Sequence, residues 1–383
     1  MVEIITGGRD TLNINQARRV VDMSKTIALL NPSANPLTLL SQKAARLKAI
    51  NPEFSWLEDD LRPAWDAINN GAGYTDSDTD LVVDNAAYFE IGSLVDVPRT
   101  GEIMKVTAIN TSTNTITVAR SVGSTAAAAL VDDDPLMIMS DANQEGAKSR
   151  ASKTTKIESL TNYTQIFRTP VEATRTESSS ELYGGKDRNY YRRKAGIEHA
   201  KKIECALWFG EKGIDTSGDH PERYTGGVFE FLAGNFTDAG GTLTEADFEA
   251  FVRDAFKYGS DVKYGFASPL VLSVINLWGV SKLQTVPRDK TYGLAVTKYI
   301  SAHGELNLIK NRLFEGAVYG GYMVVLDFAD ECVAYRYLQG GDTKLKTNIQ
   351  DNDADGWKDE YLTEAGLQLK QPDRHAVLTG VTG

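Results

Sequence analysis

At 383 residues, with 42% hydrophobic and 24% charged residues, the chain has the composition of a folded protein large enough for two or three compact units. Its formal net charge of −11 excludes a general nucleic-acid binder, which would be basic, but not a protein that encloses nucleic acid without gripping it. Two cysteines, Cys205 and Cys332, make no disulfide framework and predict a reducing compartment. The opening MVEIITGGRD has no apolar segment of signal-peptide length, and no run approaches the roughly 18 apolar residues of a membrane span.

In chain order, Met1 to Asn13 reads as a mobile arm and Ile14 to Leu30 as a helix, broken at Asn31-Pro32 and Asn35-Pro36 because proline biases the preceding residue away from helix. A short helix is expected over Leu37 to Leu47. Phe54 to Leu61 is aromatic, then acidic, and extended. Tyr88 to Met139 carries short strands with turn signals between them: Met104, Val106 and Ala108 share one face of EIMKVTAI, Ile116 and Val118 one face of TITVAR, and Leu136 to Met139 is a buried-type run. This spacing predicts a small β-barrel or sandwich. The long extended segment NYTQIFRTPVEATRTE contains Pro170, which lacks a backbone donor and confines the strand to an edge or a free-standing arm.

Tyr183 to Gly213 reads as one long helix of about seven turns, with Ile197, Ala200, Ile203 and Leu207 at helical spacing, Gly184 and Gly185 at its opening and Gly210 and Gly213 at its close. Other parts would be mounted on this spine. Two capped helices follow. Thr244 with Asp247 is a variant capping box before Phe248, Phe251, Val252, Ala255 and Phe256, with Gly259 beyond. Ser268-Pro269 opens the second, which buries Val271, Leu272, Ile275 and Trp278 and closes at Gly279. Tyr299 to Leu308 is a strand and turn, Tyr322 to Phe328 a central strand, and Cys332 to Leu338 another. The last fifty residues look like paired strands, including Leu367 to Leu369 and Ala376 to Leu378. The class is α+β rather than repeated βαβ units.

No catalytic, cofactor or metal constellation emerges. Asp351-Asn-Asp353-Ala-Asp355-Gly356 matches the opening of a calcium loop, but Leu362 stands where that loop needs a bidentate Glu, so a polar β-turn is the better reading. His199 and Cys205 are six apart on one helix, about 240° around its axis, and do not face each other. Cys205 is then a small buried residue. The four histidines show no metal-ligand spacing. Asp215 and Asp219 belong to a solvated loop, and Trp56 beside Glu58, Asp59 and Asp60 is a packing anchor rather than a sugar site. Charge is uneven: Lys148 to Lys202 is basic and Asp327 to Glu360 acidic, and such opposite surfaces can steer subunits together.

Taken in order, NPSANPLTLL, FSWLEDDL, TGEIMKVTAI with TITVARSVGST, NYTQIFRTPVEAT, the spine, and YGGYMVVLDF resemble a tailed-bacteriophage major capsid protein of the Hong Kong 97-type fold, with a small β-domain inserted in the extended loop. The resemblance implies an N-terminal arm (1–53); an extended loop with adjoining strands (54–180) and an inserted domain at about 80–140; a peripheral domain with the spine (181–225); an axial domain (226–326); and closing strands (327–383). It implies hexamers and pentamers closing into an icosahedral shell around double-stranded DNA, assembled in the host cytoplasm, with scaffolding, portal and decoration proteins as further partners and no membrane. A fused scaffold is not expected before Ile14. Leu37, Leu40, Phe54 and Trp56 are expected at subunit contacts, and the basic Arg192, Arg193 and Lys194 against acidic surface within or between subunits. The alternatives are an encapsulin-type compartment, which has the same fold around a cargo enzyme; a tail-fibre or adhesin binding module; and a calcium-dependent hydrolase using Asp351 to Asp355.

Overall fold

A computed structural model of the chain describes residues 35–146, 148, 153–180, 187–232, 234–278, 290–291 and 294–383. The expected arm over Met1 to Asn13, the helix over Ile14 to Leu30, Gly184, Gly185 and Gly279 lie outside them. The chain divides into two compact units, Leu57–Ser159 and the sequence on either side of it.

Helix α1 (Pro36–Ala44) begins with proline at its first turn, where a missing N–H costs nothing. It is shorter than expected. Arg46–Ala49 have good helix formers among them but become strand β1, because pairing with a distant strand outweighs local propensity. Strand β2 (Glu53–Glu58) alternates, with Phe54 and Trp56 inward. The second unit carries β3 (Trp65–Ala67), β4 (Asp80–Val82), β5 (Ser93–Val97), β6 (Glu102–Asn110), β7 (Thr115–Ala119) and β8 (Pro135–Asp141). Their order is β3-β8-β5-β6-β7-β4, and an antiparallel bridge between Ile68 and Val83 joins the two ends, so the sheet closes into a barrel. Its interior is filled by Ile68, Leu81, Val95, Met104, Val106 and Ile116 among others. The barrel starts before residue 80 because the three-residue β3 pairs with β8. A register shift between Val106 and Ala108 turns Ala108 outward, and in β8 only Leu136 is fully buried, which corrects the expected runs there.

Strand β9 (Glu158–Tyr163) pairs with β2, so the strands by which the chain leaves and re-enters the first unit form one ribbon. Then come β10 (Gln165–Thr174), α2 (Arg175–Ser179), the spine α3 (Asp187–Phe209), the hairpin β11 (Gly213–Asp215) and β12 (Glu222–Tyr224), and α4 (Val228–Phe231). The remainder is β13 (Phe236–Gly241), α5 (Glu245–Ala255), β14 (Val262–Ala267), α6 (Pro269–Leu277), β15 (Lys290–Thr291), β16 (Leu294–Ile300), β17 (Glu305–Lys310), α7 (Gly316–Tyr319), β18 (Met323–Leu326), β19 (Val333–Leu338), β20 (Lys344–Lys346), β21 (Gly356–Leu369) and β22 (Ala376–Val381).

Two sheets organise the first unit. One has the order β1-β19-β21-β10, with β20 beside β21. Here β1 runs parallel to β19, and Pro170 lies in β10 at the edge, opposite Glu360. The other has the order β13-β22-β18-β14-β17-β16-β15, with β18 in its interior between β22 and β14. Both helix caps are present: the Thr244–Asp247 box on α5, and the Ser268 side chain accepting from the Val271 amide on α6. Phe248, Phe251, Val271 and Ile275 of these helices pack with Leu306, Met323 and Leu378 of the second sheet. The last strands do not pair with each other: β21 joins the first sheet and β22 the second. A shared core of Leu207, Trp208, Phe266, Ile309, Val324, Tyr335 and Leu367 links the sheets through the end of the spine.

Candidate assembly site

The spine is bolted to the first sheet by buried polar side chains set into an apolar seam. Asp359, Tyr361, Thr363, Ala365 and Leu367 alternate along β21 and so share a face. Opposite them α3 presents Arg188, Arg192, Ala195, His199, Ile203 and Leu207 at three- and four-residue intervals. The expected Ile197 and Ala200 are only half-buried, because polar residues take part of the inward stripe.

At the first end, the fully buried Asp359 accepts from Arg188 Nε (3.2 Å) and Nη2 (3.0 Å), from Arg192 Nε (2.7 Å) and from the Asn348 amide (2.9 Å). Burial alone would raise its pKa. The two guanidiniums and the amide more than offset that and hold it at about 2. The Arg188 guanidinium also lies 4.8 Å from the Trp357 ring centre.

In the middle, His199 is bonded on both sides, Nδ1 to Thr169 Oγ1 (3.0 Å) and Nε2 to Thr363 Oγ1 (2.7 Å). Lys202 Nζ donates to Thr169 Oγ1 (3.2 Å), and Thr363 Oγ1 donates to Thr343 Oγ1 (2.8 Å). A neutral ring donates from one of these nitrogens and accepts at the other, which the two hydroxyls can match. Burial, and then the Lys202 charge, depress its pKa below the ordinary histidine value.

At the far end, Glu204 is completely buried. Its Oε1 accepts from the Leu37 amide (2.9 Å) and Trp208 Nε1 (3.0 Å), and its Oε2 from the Thr38 amide (2.8 Å) and Thr38 Oγ1 (2.6 Å). Burial pushes this carboxyl above the ordinary range, and the four donors pull against it. From the sequence His199 was weighed only as a partner for Cys205, and Glu204 was not singled out. The available signal is their spacing, since each stands four residues before an apolar member of the buried stripe, Ile203 and Trp208 respectively.

The expected contact residues fall into two groups. Leu37, Leu40, Phe54 and Trp56 are 0%, 7%, 8% and 5% exposed within this single chain. Leu37 and Leu40 join the core around Trp208, and Trp56 packs edge-on to Phe231 at 5.7 Å. They were expected on neighbours because short arm segments cannot bury their own apolar residues; here the spine and α4 cover them. Of the basic group, Arg192 is consumed by Asp359, Lys194 lies 3.9 Å from Glu198 on the exposed helix face, and Arg193 is exposed. The acidic loop Asp351 to Asp355 is a turn whose Asp355 accepts from Arg175 at 2.8 Å. No carboxylate, cysteine or histidine group among the described residues has the geometry to hold a metal. No helix among them is long and apolar enough to cross a membrane.

Other apolar side chains are left open. Along the ribbon and its continuation Leu57, Leu61 and Ile157 are 67%, 94% and 57% exposed, and Leu277 and Val318 stand out in the part built on the second sheet. A family model described as SU10 major capsid protein matches residues 4–382. This chain belongs to that family.

The capsid-family chain is 24% identical over 331 residues to the major capsid protein of Pseudomonas phage PaMx41, covering 79% of this chain and 78% of that one. Among solved structures it is similar to the capsid of a native GTA particle (TM-score 0.51, 10% identity, 97% of this chain and 98% of that one). It is similar to the capsid of Myoviridae Phage XM1 as well (TM-score 0.51, 11% identity, 96% and 99%). At such identities the likeness is one of fold, the Hong Kong 97-type capsid fold. The family is one of structural capsid proteins, which sets the adhesin and tail-fibre readings aside.

Proposed function

We propose that the chain is the repeating shell subunit of a tailed double-stranded DNA phage head, forming hexamers and pentamers of an icosahedral capsid in the host cytoplasm. The part carrying the spine and the first sheet acts as the peripheral domain, and the part built on the second sheet as the axial domain. Scaffolding, portal and decoration proteins are its further partners. The observation that carries the reading is the ribbon of β2 and β9, which with its continuation offers Leu57, Leu61 and Ile157 to solvent. Leucine at nearly full exposure favours cover by a second copy of the chain, each buried side chain contributing about 1.5–3 kcal/mol. Repeated around a closed shell, such modest contacts sum.

The charge supports the same reading. The barrel region 65–141 has 12 acidic residues against 3 basic ones, so most of the net charge sits in the insertion. Such a surface repels packaged phosphates rather than gripping them. Arg193 and Lys194 remain as outward basic positions. Purified protein, alone and co-expressed with a scaffolding protein, examined by size-exclusion chromatography and negative-stain electron microscopy, should give shells or capsomer rings. The double variant Leu57→Asp, Leu61→Asp should give folded subunits that do not close shells. Stable monomers from the parent protein under every condition would overturn the proposal, and protein cargo in place of nuclease-protected DNA would favour the encapsulin-type compartment.

A further inference from the structure

A helix normally caps itself, and α1 does not. Its N-cap residue is Asn35, a type strongly favoured for that role, yet the Asn35 side chain makes no cap hydrogen bond. The amides that a cap would satisfy are those of Leu37 and Thr38, and both donate to the Glu204 carboxylate, 167 and 166 residues away in sequence. Thr38 adds its hydroxyl to the same oxygen as its amide, and Trp208 holds the other oxygen from within the spine. A carboxylate at a helix N-terminus also suits the positive end of the helix dipole.

Two further facts make this arrangement conditional. At nine residues α1 is too short to persist alone in water. Its inward residues Leu37 and Leu40 bury themselves in the same core as Ile203, Leu207 and Trp208, on the turns of α3 that flank Glu204. Undocking would therefore cost α1 its cap and its apolar cover together, while Glu204 would keep only Trp208 as a partner in a site otherwise closed to water. The two states are separated by a step rather than a slope.

We propose that Glu204 is a positioning residue for assembly: through the N-terminal amides of α1 it fixes the place and direction at which the N-terminal segment joins α1. This rests on the shell-subunit reading, since position matters only if the segment must meet a particular neighbour. The chain that precedes α1 is attached at Asn35, so a change in α1 is inherited by everything before it. The apolar contacts supply most of the docking energy, and Glu204 supplies the register, because two amides and one hydroxyl must converge on one carboxylate.

The test uses the full chain and three variants: Glu204→Gln, Glu204→Ala, and Val252→Ala as a control, which opens a cavity in the core beneath α5, remote from α1. Hydrogen exchange on the unassembled subunit reads the latch, and electron microscopy reads the shell. Glu204→Ala should raise exchange across residues 36–44 by about tenfold or more while α5 and the second sheet stay protected, and should yield irregular shells or open sheets. Glu204→Gln keeps one acceptor oxygen and should fall between Glu204→Ala and the parent. Val252→Ala should loosen the second sheet and leave residues 36–44 and shell geometry as they were. Unchanged exchange in α1 for Glu204→Ala, or a rise spread evenly over the chain, would overturn the latch. Loosened α1 with normal shells would overturn the positioning role. A parent protein that makes no shells counts against the shell reading, while the exchange data still decide the latch.

Discussion

Replacing Asp359 by Asn removes one charge from the seam between the spine and β21 and little volume. The carboxylate there is completely buried and receives three guanidinium N–H bonds and one backbone amide. Its pKa falls from 3.8 to about 2, which corresponds to an upper figure of about 2.5 kcal/mol. Arg188 and Arg192 remain 35% and 25% exposed and can turn to water, so screening brings the expected loss to about 1–2 kcal/mol. The sign follows from linkage. A carboxylate with a depressed pKa contributes its full stability above the unfolded value of about 3.8 and loses it as pH falls toward about 2. Urea unfolding of the soluble subunit should therefore show Asp359→Asn less stable than the parent at pH 7, with the gap narrowing by pH 3. A gap of constant size from pH 7 to pH 3 would refute the electrostatic account and leave a packing defect as the cause. No gap at pH 7 would show that the spine is held by its apolar residues alone.

Further outcomes follow from other parts of the molecule. Arg120→Leu should destabilise the inserted barrel by about 3–5 kcal/mol, because it strands the buried Glu102 that Arg120 holds at 2.7 and 2.8 Å; hydrogen exchange in β4 to β7 would show it. Gly210→Ala should fold poorly, since a Cβ there would stand 2.4 Å from the Thr225 carbonyl and 2.5 Å from that of Ala206; soluble yield and melting temperature measure this. His375 is neutral and buried, accepts from the Asp327 amide at 3.0 Å on Nδ1, and has its pKa lowered to about 3 by desolvation. It costs the fold stability as pH drops below about 6.5, at up to about 1.4 kcal/mol per pH unit, so His375→Asn should flatten the acid limb of the stability curve between pH 6.5 and 4.

Features encoded locally were legible in the sequence. The Thr244–Asp247 box and Ser268-Pro269 start helices through bonds within a few residues, and Pro170 marks an edge because it lacks one donor. Long-range partners were not. Arg46 to Ala49 has the composition of a helix and is a strand only because β19, nearly three hundred residues on, lies beside it. The spine was recognisable as a helix, and Ile203 and Leu207 of its inward face with it, but His199 and Glu204 look like solvated residues until Thr363 and the α1 amides are in place. The same gap assigned Leu37 and Trp56 to neighbouring subunits: segments that look unable to bury themselves found cover in their own chain. The barrel's early start was hidden because β3 is too short to carry a period of its own.

Closure of the inserted barrel has a consequence for crowding. An open six-stranded sheet has two rows of unpaired backbone groups, harmless at the dilution of a free subunit. In a shell the copies, and their insertions with them, are held at a fixed, very high local concentration, where edge-to-edge pairing would compete with the intended contacts. The bridge between Ile68 and Val83 joins the two end strands and withdraws those groups from the competition. The insertion can then be repeated at shell density without becoming a polymerisation site.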